Sequence, residues 1–348
     1  MDDEALLQSC IPLLVDWCRT VRRPLPWRLE PTPYHVWVSE IMLQQTRIEA
    51  VIPYYARFLE ALPTVGALAN VEEDALLKLW EGLGYYSRAR NLQKAARLVM
   101  AEYGGELPRE IAALRKLPGI GEYTAGAIAS IAYGEPEPAV DGNVLRVMTR
   151  LLARSDDVTL PKTRASAAAL LRAHYPGGEA AGLLTEGIME LGETVCLPNT
   201  APKCGVCPLK ALCRACLRGE TERYPVRSPK RERRLEERTV LLLRCGERYA
   251  VRKREGTGLL AGLWEFPNGP GALDEAGARE AVQALGGEAL SVEPCGEAKH
   301  VFTHVEWHMR GFCVELGAEL PGFSWRTPAE IKAECPIPTA LRYYQKRL

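Results

Sequence analysis

The spacing of apolar residues changes once along this chain, and that change limits what it can fold into. Up to about Arg214, apolar residues recur at intervals of three and four, with Pro or Gly between the segments. The segments lie around 4–21, 35–46, 48–61, 73–80, 86–103, 109–115, 122–133, 142–153, 162–174 and 180–192. Such spacing predicts packed amphipathic helices, so residues 1–216 should be all α. Beyond residue 237 the period falls to two. Thr239–Cys245 and Arg248–Arg254 flank Gly246 like the arms of a hairpin, and Val301 to Val314 alternates again. Asp274 to Leu285 reads as a lone helix, so residues 238–348 should form an α+β domain. Residues 217–237 are polar and charged, with two prolines, and read as an interdomain linker.

A chain of 348 residues is too long for one ordinary domain, which agrees with this division. Forty-four basic residues balance 44 acidic ones. Global attraction to nucleic acid is therefore absent, and only a local surface could supply it. The start, Met1-Asp-Asp-Glu, has no basic region, and no apolar run is long enough to span a membrane. A cytoplasmic protein, without a membrane and acting as a monomer, is expected. Eleven cysteines, odd in number and unevenly placed, do not suit a secreted disulfide framework.

Four of those cysteines, Cys196, Cys204, Cys207 and Cys213, fall within eighteen residues, punctuated by Pro198, Pro202, Gly205 and Pro208. A segment of this kind wraps a compact inorganic centre without long-range folding. Thiolates select soft metals, so spacing alone leaves zinc and a 4Fe-4S cluster both open. A four-cysteine loop after an all-helical region resembles that of the endonuclease III and MutY superfamily of DNA glycosylases, which holds a 4Fe-4S cluster. The family's first gap has six residues and this one seven, which leaves Cys216 as a possible substitute for Cys196. The resemblance assigns the cluster to structure and DNA docking, with no part in bond cleavage.

Leu117-Pro-Gly-Ile-Gly-Glu-Tyr places Gly119 and Gly121 at the mouth of a helix. Glycines there let backbone N–H groups approach a phosphate, aided by the helix dipole, so anion binding needs no arginine. Val140-Asp-Gly-Asn follows close behind, and the pair resembles the helix-hairpin-helix–Gly/Pro–Asp signature of the same superfamily. Lyase members carry a lysine after the hairpin for Schiff-base chemistry. Here that position is Tyr123, which implies a monofunctional enzyme that uses water, with Asp141 as its key carboxylate. Taken alone, an Asp before Gly-Asn also reads as a helix cap.

Glu40 stands among Val36, Trp37, Val38, Ile41, Met42 and Leu43. A helix apolar on most sides is buried, so this carboxyl should be desolvated and its pKa raised. A carboxylic acid protonated near neutral pH is what departure of a purine requires. Val38-Ser-Glu-Ile-Met-Leu-Gln-Gln-Thr46 resembles the MutY family of adenine glycosylases closely. That likeness implies removal of adenine mispaired with 8-oxoguanine or guanine in double-stranded DNA. It implies that Glu40 protonates adenine N7, that Asp141 stabilises the cationic sugar with Tyr123 holding the geometry, and that water attacks with Glu40 as base. It places Trp27, Arg28 and Glu186 around adenine, and Gln45 and Thr46 at the oxidised guanine. Tyr85 becomes a wedge with Leu83 beside it; Arg88 and Arg90 are either phosphate contacts or solvated helix residues.

Residues 258–267 and 299–306 resemble the Nudix-like domain that MutY proteins append. The helix at 274–285 lacks the second carboxylate pair a Nudix hydrolase needs for magnesium, so hydrolysis is not expected. The resemblance gives the domain the reading of the damaged guanine, through Phe302, Thr303 and His304, with Thr303 where the family usually has serine. Two rival readings remain: a pyrimidine-lesion glycosylase–lyase like endonuclease III, and a non-catalytic iron–sulfur DNA-binding protein.

Overall fold

The computed structural model describes residues 2–229 and 232–348. Its contacts divide the chain into two units, Met1–Asn70 with Asn91–Pro229, and Val71–Arg90 with Lys230–Leu348. The stretch 71–90, read from sequence as part of the helical region, thus packs with the C-terminal residues. Among the described residues no helix is long and apolar enough to cross a membrane.

The helices run α1 (Asp3–Val21), α2 (Pro26–Leu29), α3 (Pro33–Leu43), α4 (Ile48–Ala61), α5 (Val65–Asn70), α6 (Glu73–Leu79) and α7 (Ser87–Glu102). Then follow α8 (Ile111–Leu114), α9 (Glu122–Ala127), α10 (Gly142–Leu152), α11 (Pro161–Arg172), α12 (Glu179–Thr194) and α13 (Arg214–Leu217). Each long helix of the first unit has a local cause. In α1, Asp2 caps the amide of Ala5 at 2.8 Å, and Leu6, Leu7, Cys10, Ile11, Leu14, Val15 and Cys18 form its buried stripe. In α3, the Thr32 cap and Pro33 start a helix buried on nearly every side. In α10, Asp141 accepts from the Val144 amide at 2.7 Å.

Helix α12 crosses α1 closely: a methyl group on Gly187 would stand 3.1 Å from Cys18 Cβ and 3.2 Å from the Leu14 carbonyl. Any larger residue would force those neighbours back by a few tenths of an ångström, so the glycine favours the close crossing, which carries the acidic face of α12 toward the residues after α1. Gly126 does the same for α9, since a Cβ there would lie 2.4 Å from the Pro138 carbonyl. Helix α9 passes into a π-helical turn at Ile128–Ala132, which the sequence reading took as continuous α-helix. A buried hydroxyl chain, Ser130–Thr185–Tyr175 with both links at 2.7 Å, ties this turn to α12.

The second unit holds a seven-stranded mixed sheet of β1 (Arg234–Cys245), β2 (Arg248–Lys253), β3 (Trp264–Glu265), β4 (Asn268–Pro270), β5 (Ala289–Val301), β6 (Val305–Leu316) and β7 (Ser324–Arg326). Its order is β3-β2-β1-β6-β5, with β4 on β1 and β7 on β2. The β1–β6 pair is parallel, the β5–β6 pair antiparallel with two register shifts. Because side chains alternate across a sheet, Val240 and Leu242 enter one core and Leu241 and Leu243 the other, so both faces are covered.

Two expectations are corrected here. Asp274 does cap α14 (Glu275–Ala284), but this helix is not alone: α15 (Pro328–Glu334), with a Thr327/Glu330 capping box, and α16 (Arg342–Gln345) follow. The segment 217–237 is not a simple linker either. Val158 N bonds Val226 O at 3.1 Å, Ser228 N bonds Asp157 at 3.2 Å, and β1 already starts at Arg234. Lys230 and Arg231 of that segment lie outside the described residues.

Candidate active site

A cavity of about 340 Å³ in the first unit gathers Trp27, Arg28, Glu40, Thr46, Tyr123, Asp141 and Glu186, drawn from α2, α3, α9, the cap of α10, and α12. Among the described residues lining it, none is a lysine.

Glu40 is 6% exposed, and its Oε2 accepts from the Tyr123 hydroxyl at 2.7 Å. Burial pushes its carboxyl from the ordinary 4.5 up to about 7. The Tyr123 hydrogen bond and the Arg28 charge oppose that rise, while Asp141 and Glu186 reinforce it. Burial also raises Tyr123 well above its ordinary value, so it is a neutral donor.

Asp141 is at once a helix cap and a wall of the cavity. Its Oδ1 accepts from the Val144 amide and its Oδ2 from Asn143 Nδ2 at 3.0 Å. Burial raises its pKa, and these hydrogen bonds pull the other way by favouring the carboxylate.

Opposite the carboxyls runs a chain of ion pairs. Glu186, 5% exposed, meets Arg22 at 2.9 Å and Arg28 at 3.5 Å. Glu190, one turn further, takes Arg28 Nη1 at 2.8 Å and both Nε and Nη2 of Arg23. Arg23 and Glu190 were not singled out from sequence, although Glu186 and Glu190 stand four apart on a helix otherwise buried by apolar residues. That spacing is the signal that was available. Trp27 is buried, edge-on to Tyr55 with ring centroids 5.4 Å apart.

Gln44 to Thr46 form a turn after α3 in which Gln45 is exposed at φ +61, and Thr46 lines the cavity. Gly121 caps α9, and Gly119 takes φ +80 in the turn before it.

In the second unit, Tyr85 is 48% exposed at φ +47, and its hydroxyl lies 3.0 Å from Thr303 Oγ1. Thr303 and His304 are exposed at the β5–β6 turn, and Phe302 packs edge-on to Trp307. Leu83 is buried beneath the Tyr85 loop. Arg88 is neither a solvated residue nor placed for phosphate. It is 9% exposed, donates to the Leu83 and Gly84 carbonyls at 2.9 and 3.1 Å, and lies over Trp80. Arg90 pairs with Glu73 at 2.6 Å.

Cys196, Cys204, Cys207, Cys213 and Cys216 line one small cavity of about 30 Å³ in the first unit. Arg150 Nη1 donates to Cys196 Sγ at 3.2 Å, and Cys213 Sγ donates to the Arg150 carbonyl at 3.4 Å. Among the described residues no group of three or more His, Cys, Asp or Glu side chains is already set to hold a metal ion.

The chain matches the family model of the HhH-GPD superfamily base excision DNA repair proteins over residues 38–173 and that of the NUDIX domain over 239–347. It is 33% identical to the adenine DNA glycosylase of Homo sapiens, covering 94% of this chain and 72% of that protein. It is 37% identical to the adenine DNA glycosylase of Arabidopsis thaliana over 84% of this chain, and spans 55% of that longer protein. Among solved structures it is similar to an endonuclease III in a non-covalent complex with DNA, with a TM-score of 0.53 and 27% identity over 64% of this chain and 98% of that one. With a glycosylase region and a Nudix region in order, and 33% identity to the human protein over 94% of this chain, the chain belongs to the adenine DNA glycosylase family, enzymes of base excision DNA repair.

Proposed function

We propose that this protein binds duplex DNA, extrudes adenine mispaired with 8-oxoguanine or guanine, and removes it by acid-assisted hydrolysis without a lyase step. The observation that carries this reading is a pair of carboxyls in one cavity of small-ligand size, the buried Glu40 held by Tyr123 and the half-buried Asp141 held by Val144 and Asn143. With its pKa near 7, Glu40 is protonated in a large share of molecules at neutral pH and delivers that proton to adenine N7. The electron pair of the glycosidic bond leaves with the base. Asp141, whose hydrogen bonds from Val144 and Asn143 favour the carboxylate against the effect of burial, stabilises the cationic sugar by ion pairing or by a transient covalent bond. Water then adds to the sugar, with Glu40 accepting its proton. Arg28, Glu186 and Trp27 frame the base, and Gln45 and Thr46 serve the strand opposite.

The backbone around Gly119 and Gly121 is suited to hold a phosphate. Tyr85 is suited to wedge into the stack, since an exposed ring is already held in a left-handed conformation. Phe302, Thr303 and His304 at an exposed turn read the oxidised guanine. Cys196, Cys204, Cys207 and Cys213, with Cys216 as the alternative to Cys196, would hold a 4Fe-4S cluster. Five soft thiols around one cavity with a guanidinium at Cys196 suit an anionic thiolate-ligated core. Its contribution there is to brace the loop for DNA docking.

The absence of lysine among the described cavity residues supports hydrolysis over Schiff-base chemistry. Borohydride added during turnover of a mispair duplex is expected to leave no protein–DNA adduct on a denaturing gel; a stable adduct would favour the lyase reading.

Tyr123→Phe tests the Glu40 assignment separately. The hydroxyl stabilises ionised Glu40, so its loss raises the Glu40 pKa further. The rate requires the protonated form and falls as pH rises through that pKa. The descending alkaline limb of the single-turnover profile is therefore expected to move to higher pH, and a limb that stays or moves down contradicts the assignment.

A further inference from the structure

Two arginines, Arg23 and Arg28, line the cavity, with Arg22 paired to the cavity residue Glu186, and left unpaired they would attract phosphate rather than an uncharged purine. Glu186, Glu190 and Glu193 on α12 face them, the last meeting Arg23 at 3.7 Å. Glu190 is the hub. It is 1% exposed, and its two oxygens take three nitrogen donors from two different guanidinium groups. Arg28 Nη1 also reaches the Arg23 carbonyl at 3.3 Å, and the Arg28 carbonyl accepts from Arg22 Nη2 at 2.6 Å. The chain from Arg22 to Arg28 is thus closed onto α12 at several points, yet Arg28 meets Glu186 only through a longer 3.5 Å contact. The orientation of Arg28 follows from Glu190 more than from Glu186, because a short charge-assisted hydrogen bond is directional and a 3.5 Å pairing is weak in direction.

The geometry points to Glu190 as a positioning residue: it fixes the Arg28 guanidinium at the base pocket and, with Glu186, cancels the charge that would make that wall an anion site. The inference rests on the adenine-removal reading for its consequence, and on geometry alone for its mechanism. Glu190 itself acts only through Arg28.

Two measurements on the full-length holoprotein separate those levels. With arginine labelled by nitrogen-15, the Arg28 Nε–H signal is expected to exchange slowly with water in the unaltered protein and markedly faster in Glu190→Gln. An unchanged Arg28 signal overturns the proposal whether or not adenine is released. If Glu190→Gln does not fold, Glu190→Asp keeps the charge but withdraws it by one methylene and is expected to show a smaller change in the same direction. An unchanged Arg28 signal in a folded Asp variant overturns the proposal equally.

In single turnover on a mispair duplex, Glu190→Gln is expected to slow base release on the order of 100-fold, as a small misplacement can. The double variant Arg28→Ala/Glu190→Gln is expected to be no slower than Arg28→Ala. A multiplicative loss shows that Glu190 acts independently of Arg28 and overturns the proposal. Absence of adenine release from the unaltered protein sinks the functional reading instead, while the Arg28 signal still decides the positioning role.

Discussion

Glu40→Gln is expected to lower the single-turnover rate of adenine release on the order of 10² to 10⁴-fold, the usual contribution of a general acid, while leaving mispair binding intact. Gln matches the carboxyl in size and still accepts from the Tyr123 hydroxyl, so the local hydrogen bond survives and only the proton is lost. On the proposed mechanism the same residue sets the pH dependence. Above about 7, unaltered Glu40 is ionised and its rate falls.

The stability of the protein carries the matching signature. A carboxyl raised from 4.5 to about 7 by burial favours the folded state fully below 4.5, and that contribution is lost as pH rises through about 7. Glu40→Gln has no charge to bury, so its melting temperature is expected to exceed that of the unaltered protein at pH 8 and to converge with it at pH 5. Equal melting curves at both values would show that Glu40 is not desolvated.

Asp141→Asn is expected to cost on the order of 10² to 10³-fold in the same assay, through loss of the negative charge facing the cationic sugar. Asn is also a good helix cap, so the bond to the Val144 amide persists and α10 remains in place. Asp141→Ala removes charge and cap together, and should add a stability loss of about 1 kcal/mol. This contrast separates the two roles. An Asn variant with full activity would make Asp141 a cap and nothing more, and an Ala variant with full activity would leave the hydrolytic step without its carboxylate.

Much of this site lies in short stretches of sequence. The burial of Glu40 followed from its six apolar neighbours, because a helix without a polar face has nowhere to put water. Asp141 caps α10 and also lines the cavity, so the cap reading and the proposed catalytic role do not exclude one another. The Arg23–Glu190–Arg28 cluster was hidden because it joins residues more than 160 positions apart, and no local period encodes that pairing.

Arg88 was misread for a different reason. An arginine in a polar helix start looks solvated, but left-handed residues at Gly82, Gly84 and Tyr85 shape the preceding loop, and the Leu83 and Gly84 carbonyls take its guanidinium. Helices α15 and α16, of seven and four residues, are too short for a hydrophobic period to register. The alternation in β6 was visible because a period of two needs only a few residues, whereas β1 is a continuous buried run because both faces of the sheet are covered.

The most direct test is release of free base from four duplexes under single turnover, carrying adenine opposite 8-oxoguanine, adenine opposite guanine, adenine opposite cytosine, and an oxidised pyrimidine opposite its normal partner. The account predicts adenine from the 8-oxoguanine duplex first, more slowly from adenine opposite guanine, and no strand cleavage from any of them. Release of the oxidised pyrimidine with strand cleavage, and none of adenine, would contradict it.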